Sequence, residues 1–306
     1  MAGGATALLA AYLPKISSAR AAAIGVTEVA PGIFVHQGKF ADVDVGNGGD
    51  IANLSFVVGK EAVAVIDTGG SAKIGATGRE AIAAVTPLPV RYVINTHMHP
   101  DHVFGNAAFK GANATFVAHH KMARGLAARA EGYLARNKED MGDENFAGTE
   151  IVLPTLAIAE QQTLDLGGRI LKLQPRATAH TDNDLTIRDE TTGTLFTGDL
   201  IFARRVPTID GSILGWLKVL ADLKREGAQR VVPGHGPPSM TLSEALPPLE
   251  RYLSAIAADV RVAIKDGKTL ADTVETAAQS ERTAWLLFDD HHKRNVTAAF
   301  AELEWE

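Results

Sequence analysis

The segment His97-Met98-His99-Pro100-Asp101-His102 places three imidazoles and a carboxylate within six residues, directly after an apolar run at 90–95. Imidazole suits zinc, copper, iron and nickel, and a carboxylate adds a harder oxygen donor. A ligand-rich loop at a strand end lets a rigid sheet hold functional side chains still. The bland alternative for such a stretch is a solvated polar loop. Three residues far along the chain weigh against it: His180, Asp199 and His235, each close behind a strand-like run and each flanked by Gly, Ala or Pro. Taken singly, an Asp after Gly is a common turn former, and a lone His is commonly no more than a satisfied polar group. Together with the cluster they form a set that only a fold converging distant strand ends can use, because a metal site takes ligands from several loops.

The chain contains no cysteine, which excludes disulfides and leaves any metal to His, Asp or Glu. Its 306 residues suffice for one large domain. The formal net charge of −6, with no run of Lys or Arg, gives no footprint for nucleic acid. The only candidate leader is the small apolar run at 5–13, too short to span a bilayer. It is followed by Ala19-Arg20-Ala21 and Ala21-Ala22-Ala23, which resemble small-residue cleavage sites. Residues 1–25 therefore read as a candidate signal peptide, implying a periplasmic or secreted protein. The alternative is a short surface helix or frayed terminus, in which case the protein is cytoplasmic.

The remaining pattern, 26–306, reads as one domain. Short strands are predicted at 32–37, 51–58, 62–66, 90–95 and 114–117. A helix follows the Asp67-Thr68-Gly69-Gly70 turn through about residue 84, and Pro87 and Pro89 break it. A long alanine-rich helix is expected from about 119 to 137, then a loop at 138–148. Strands recur at 163–165, 169–174, 185–188, 194–197 and 230–232, around a helix at 211–225. From 241 onward the chain reads as mostly helix, interrupted near Asp266-Gly267. Short strands followed by helices, twice over, suggest two sheets face to face with helices outside.

The residues Thr96 to His102, with His180, Asp199 and His235, resemble the metallo-β-lactamase superfamily, and Asp67 in Val65-Ile66-Asp67-Thr68-Gly69 resembles its first motif. More narrowly, His102-Val103-Phe104-Gly105-Asn106 and Thr181-Asp182-Asn183-Asp184-Leu185 look like the SoxH-like zinc metallohydrolases linked with quinoprotein systems. The resemblance implies an α/β fold, an αββα sandwich of two mixed sheets. It implies that His97, His99 and His180 bind one metal, that Asp101, His102 and His235 bind a second, and that Asp199 bridges the two. Zinc, two per chain, is the first expectation, since it accepts mixed His/Asp shells. Iron is the rival. Asp67 is expected off the metal, orienting a ligand histidine by a hydrogen bond.

A hydroxide shared by two zinc ions attacks electrophilic carbonyl or phosphoryl centres, so the expected reaction is hydrolysis of a small ester-, thioester- or lactone-like substrate, with Asp101 orienting the attacking water. β-Lactamases of the superfamily usually carry Cys or Ser where this chain has Asp199, so weak β-lactam turnover is the stronger form of that alternative. A mononuclear iron enzyme resembling the persulfide dioxygenases and a non-catalytic accessory protein of a quinoprotein redox system are the others. A small-molecule substrate is expected, with no nucleic-acid or membrane partner. Arg204 and Arg205 are candidates for an anionic substrate group, against a plain solvated pair. Phe202 and Trp216 either wall a pocket or pack the core. His119-His120 is expected at the surface, and His291-His292 carries no assignment.

Overall fold

The structure, a computed structural model, describes residues 24–306. All but the last two residues of the candidate leader lie outside the described residues. The first sheet has seven strands in chain order: β1 (Thr27–Ala30), β2 (Ile33–His36), β3 (Leu54–Val58), β4 (Val63–Ile66), β5 (Val90–Ile94), β6 (Thr115–His119) and β7 (Leu156–Ile158). β1 to β4 form an antiparallel meander, and β4 to β7 run parallel. The second sheet has five: β8 (Gln162–Asp165), β9 (Ile170–Pro175), β10 (Leu185–Asp189), β11 (Thr194–Phe202) and β12 (Arg230–His235), in the order β12-β11-β10-β9-β8.

Adjacent strand residues point to opposite faces of a sheet, and the core obeys that rule residue by residue. Val57, Ile66 and Ile94 face inward, against Leu171, Ile187, Phe196 and Val232 of the second sheet. Their neighbours Phe56, Val65 and Val93 face outward, under helix α1 (Ala72–Val85) and its Ile82. β4 is buried on both faces, which is why Val63-Ala64-Val65-Ile66 is uninterrupted by a polar residue. Beyond β5 come the short helix α2 (Pro100–Val103), then the long α3 (Met122–Phe146). The second sheet is covered by α4 (Ile213–Glu226), α5 (Leu242–Lys265) and α7 (Phe288–Leu303), with the short α6 (Leu270–Thr276) between the last two. The layers are thus helix, sheet, sheet, helix, as the sequence led us to expect.

Local signals explain where the helices begin. Ser71 caps α1 by accepting from the Ile74 N–H, and Ser212 caps α4 by accepting from the Gly215 N–H at 2.8 Å. Thr241 and Glu244 form a reciprocal capping box that starts α5.

Three expectations need correction. The expected loop at 138–148 is largely the end of α3, because the buried Met141 gives this polar stretch an anchor; the helix breaks only at Gly142, whose φ is 77°. His119 is not a surface residue opening α3. It ends β6 and is buried, and burial lowers its pKa to about 4. Asp199 does not follow a strand but lies within β11, which continues to Phe202. Among the described residues no helix is long and apolar enough to cross a membrane.

Trp216 settles as core. Its ring is fully buried, its indole N–H donates to the Leu200 carbonyl at 3.0 Å, and it stands edge-on to His180 with centroids 5.3 Å apart. Trp216→Ala is expected to cost about 3–5 kcal/mol in urea unfolding, the usual penalty for removing a large buried aromatic.

Candidate metal centre

The seven residues that the sequence singled out meet at one end of the seam between the sheets. His97 and His99 lie just after β5, and Asp101 and His102 lie in α2. His180 sits in the turn between β9 and β10, Asp199 is in β11, and His235 ends β12. The seam is stitched across the sheets at this end: the Leu185 N–H donates to the Thr96 carbonyl at 2.8 Å, and the Asn53 N–H to the Gly234 carbonyl at 2.8 Å.

The donors fall into two groups that could each hold a metal ion. His97, His99, His180 and Asp199 form one, and Asp101, His102 and His235 the other; within each, the donor atoms lie within 4.8 Å of one another. His99 Nδ1 is 3.1 Å from His97 Nε2 and 3.0 Å from His180 Nε2. Metal–nitrogen bonds of about 2.0–2.1 Å place ligand nitrogens about 3.3 Å apart in a tetrahedral shell, close to this spacing. Asp199 faces both groups. Its Oδ2 is 3.4 Å from His180 Nε2 and 3.4 Å from His235 Nε2, and its Oδ1 is 3.2 Å from His102 Nε2.

Every imidazole is aimed by its other nitrogen. His180 Nδ1 donates to the Thr208 carbonyl at 2.7 Å and His235 Nδ1 to the Ile51 carbonyl at 2.9 Å. His99 Nε2 donates to Asp210 at 3.0 Å, and His102 Nδ1 to Asp67 at 2.8 Å. His97 Nδ1 meets the Thr96 hydroxyl at 3.0 Å, and that hydroxyl donates to Asp67 at 2.7 Å. These bonds fix the tautomers and leave the inward nitrogens with free lone pairs, the arrangement a cation requires. Asp67 therefore steers one ring of each group. It sits at φ 56°, a left-handed conformation that costs a non-glycine residue about 1–2 kcal/mol. Three donors to its carboxylate outweigh that, since hydrogen bonds to a charged group contribute about 1.5–3 kcal/mol each. Thr96 and Asp210 were not foreseen. Asp210 is indistinguishable in sequence from any turn aspartate before a helix.

Two buried atoms of the centre, His102 Nε2 and Asp199 Oδ1, have no hydrogen-bond partner among the described residues; they lie close but out of alignment. Buried polar atoms are nearly always satisfied, and buried carboxylates pair or coordinate metals. The donor set thus fits divalent cations. Burial holds His97 well below its ordinary pKa and takes His180 down to about 3, so both enter as neutral donors. His102 goes the other way: burial pulls it down, but Asp199, Asp101 and Asp67 carry it well above the usual range. Glycine makes the close packing feasible. A Cβ on Gly234 would lie 1.9 Å from Asp199 Oδ1, and one on Gly198, at φ 51°, would lie 2.4 Å from the Thr96 hydroxyl.

The family model for the metallo-beta-lactamase superfamily matches residues 47–235, more than half of the chain and inclusive of every donor above. The chain belongs to the metallo-beta-lactamase superfamily. No curated protein sequence matches it. Among solved structures it is similar to a metallo-beta-lactamase from Pontibacter korlensis, with 21% identity and a TM-score of 0.58 over 76% of this chain and 99% of that one. It is also similar to the stereoselective inverting sec-alkylsulfatase Pisa1 from Pseudomonas sp., with 16% identity and a TM-score of 0.68 over 92% of this chain and 50% of that one. These likenesses are likenesses of fold.

In this superfamily member the centre opens into a cleft of about 450 Å³. Phe202 lines it, stacked on His235 with centroids 5.0 Å apart. The two arginine candidates part company. Arg205 lines the cleft, is buried, and donates through Nη2 to Asp42 at 2.7 Å, while its Nε and Nη1 have no partner. Such unmade bonds cost about 1–3 kcal/mol each. Arg204 turns away, its guanidinium 5.2 Å above the Phe40 ring, so it is withdrawn as a substrate residue. His291, unassigned from sequence, is in the cleft and donates to Asp42 at 2.8 Å. His292 is not; it is buried against Tyr252 and Phe288.

Asp67→Asn keeps the turn's shape but removes the carboxylate, and a 10–100-fold loss of metal affinity is expected, measured by competition with a chelator. A second outcome follows from His102. Three neighbouring carboxylates raise that ring's affinity for a proton, and a proton competes with a cation for the same nitrogen. Calorimetry in buffers of differing ionisation enthalpy is expected to show proton release on metal binding, with affinity falling as pH falls.

Proposed function

We propose that this chain is a dinuclear zinc-dependent hydrolase of a small ester-, thioester- or lactone-like substrate. The observation that carries the proposal is the convergence of seven donors on one point while every imidazole's outer nitrogen is already engaged. A structural metal is sealed in its shell by protein, whereas these two groups share Asp199 and open beside a cleft, from which a water or substrate oxygen could join an expanded shell. Two divalent cations, when bound, supply Lewis acidity and an activated water.

The chain's own residues supply the rest. His97 and His180 are held neutral by burial, and all three rings of the first group, His99 included, are oriented by their outer nitrogens. Asp101 is pulled well below the usual carboxylate range: burial raises it, but His102 and His235 outweigh burial. It stays a carboxylate at any working pH, and its Oδ2 lies 3.2 Å from His235 Nε2. That fits it to orient a water by accepting a hydrogen bond from it. Phe202, laid flat on His235, keeps bulk water from one side.

Within the superfamily, the motifs at 102–106 and 181–185 support placement in the SoxH-like group. Asp199 supports a hydrolase with at most weak β-lactam turnover. A second reading, sulfate-ester hydrolysis, is favoured by reach: the match to the sec-alkylsulfatase extends over 92% of this chain, against 76% for the β-lactamase.

Elemental analysis after mild purification is expected to find about two equivalents of metal per chain, and a panel of esters, thioesters, lactones, β-lactams and sulfate esters to identify the reaction. Asp101→Ala is expected to lower turnover by about 10²–10⁴-fold while far-UV circular dichroism and the urea midpoint are retained. Trace metal only, or unchanged turnover in that variant, sinks the proposal.

A further inference from the structure

The cleft walls contain charges that the metal centre does not use. α3 supplies Tyr133, Arg136 and Asp140, and α7 supplies Asp290, His291 and Arg294. Most of these charges are spoken for. Arg136 Nε donates to Asp140 at 2.8 Å, and Asp42 accepts from both Arg205 and His291. Three features remain uncommitted. Arg294 has no hydrogen bond or ion pair with any other described residue, although Asp290 precedes it by one helical turn. Asp290 is likewise without an ion pair among the described residues. Arg205, only 7% exposed, keeps Nε and Nη1 without a partner among the described residues.

Two guanidiniums with donors to spare, lining the same cleft as the metal ligands, are equipped for one kind of group. The guanidinium fork matches the planar oxygens of a carboxylate and the oxygens of a sulfate or phosphate. The size of the charge follows from Asp290, which repels a dianion next to Arg294 more than it repels a monoanion. Arg294 is also sensed by Tyr133 on α3, whose phenol is pushed up by burial and by Asp210 and pulled back by Arg129 and Arg294.

We infer that Arg294 of α7, with Arg205, selects substrates that carry one singly charged oxyanionic group. The inference rests on the hydrolase reading for its reaction, and it goes further by naming the charge of the substrate and placing its recognition on the C-terminal helix. α7 lies outside the matched family region at 47–235, so the superfamily motifs do not determine this choice. Asp42 contributes by position: by accepting from both Arg205 and His291 it ties the loop after β11 to α7 and sets the two guanidiniums on one cleft.

The test uses the metal-loaded full chain and three esters of p-nitrophenol: the neutral acetate, the singly charged succinate monoester and the singly charged sulfate ester. In the wild-type protein at least one charged ester is expected to exceed the acetate in kcat/KM. In Arg294→Gln the charged-to-neutral ratio is expected to fall about tenfold or more, through KM, and Arg294→Lys to restore part of it. Asp290→Asn is expected to raise the same ratio. Whichever charged ester loses its advantage shows whether the anion is remote from the scissile bond or part of it. Ratios within twofold of wild type in Arg294→Gln, for both charged esters, overturn the inference. Arg294 is exposed, so its replacement leaves the fold intact, whereas Arg205 is buried and serves only as a supporting variant. Calorimetric titration with butyrate and methyl sulfate ions reads the same site without turnover. A dissociation constant raised at least fivefold in Arg294→Gln for either ion supports the inference, and constants within twofold of wild type for both ions overturn it. Failure of all three esters to turn over, with the difference in anion binding intact, refutes the hydrolase reading and leaves the anion site standing.

Discussion

The Asp67 carboxylate is the fixed point of this molecule. It closes the gap between the ends of β4 and β5, accepting from the Thr96 N–H at 2.8 Å, from the Thr96 hydroxyl and from His102. Through those contacts it orients a ligand in each donor group. Its backbone lies in the left-handed region, and those hydrogen bonds offset the cost of holding the turn there. The neighbouring amides extend the same restraint: Asn95 and Asn106 hydrogen-bond each other in both directions, and the Thr68 hydroxyl donates to Asn106. The segment carrying four of the seven donors is therefore clamped at its beginning and just past its end.

Electrostatics explains why such a centre is tolerated in a protein interior. Two carboxylates and five imidazoles share a small volume, and most are buried. Two of these atoms, His102 Nε2 and Asp199 Oδ1, lack a hydrogen-bond partner among the described residues, a cost lodged within the donor set. Cations bound there would offset the carboxylate charge and take up the free lone pairs. The strain is thus lodged where binding energy can offset it, while the surrounding sheets carry an ordinary apolar core.

Much of this was legible in the residue order, for reasons that can be named. The ligands sit at strand ends, and strand ends are marked by a switch from apolar runs to Gly, Pro and polar residues, as at Asn95-Thr96-His97 and Pro233-Gly234-His235. The layered fold was legible because adjacent pairs such as Val65-Ile66 and Val93-Ile94 serve opposite faces. What escaped was set by tertiary contact. Residues 138–146 are polar enough to read as a loop, yet one buried Met141 holds them in a helix. His119 reads as the opening of a helix until the sheet buries it. Arg204 and Arg205 are chemically identical neighbours, and only the turn that sends one toward Phe40 and the other toward Asp42 separates them. Nothing local announces that His291 and Arg294 return to a site assembled almost two hundred residues earlier.

That return has a consequence for how such a molecule can diversify. The residues that could hold cations and the cleft residues of α7 belong to different stretches of chain, joined by Asp42 and by Asn295, which accepts from the Ile209 N–H and donates to the Pro207 carbonyl. A change in the last helix can retune what is admitted while leaving the reactive machinery untouched, and an altered ligand can change the machinery without moving the gatekeepers. Because α7 also packs the core and its Glu302 caps the start of α4, that freedom belongs to its cleft-facing positions alone.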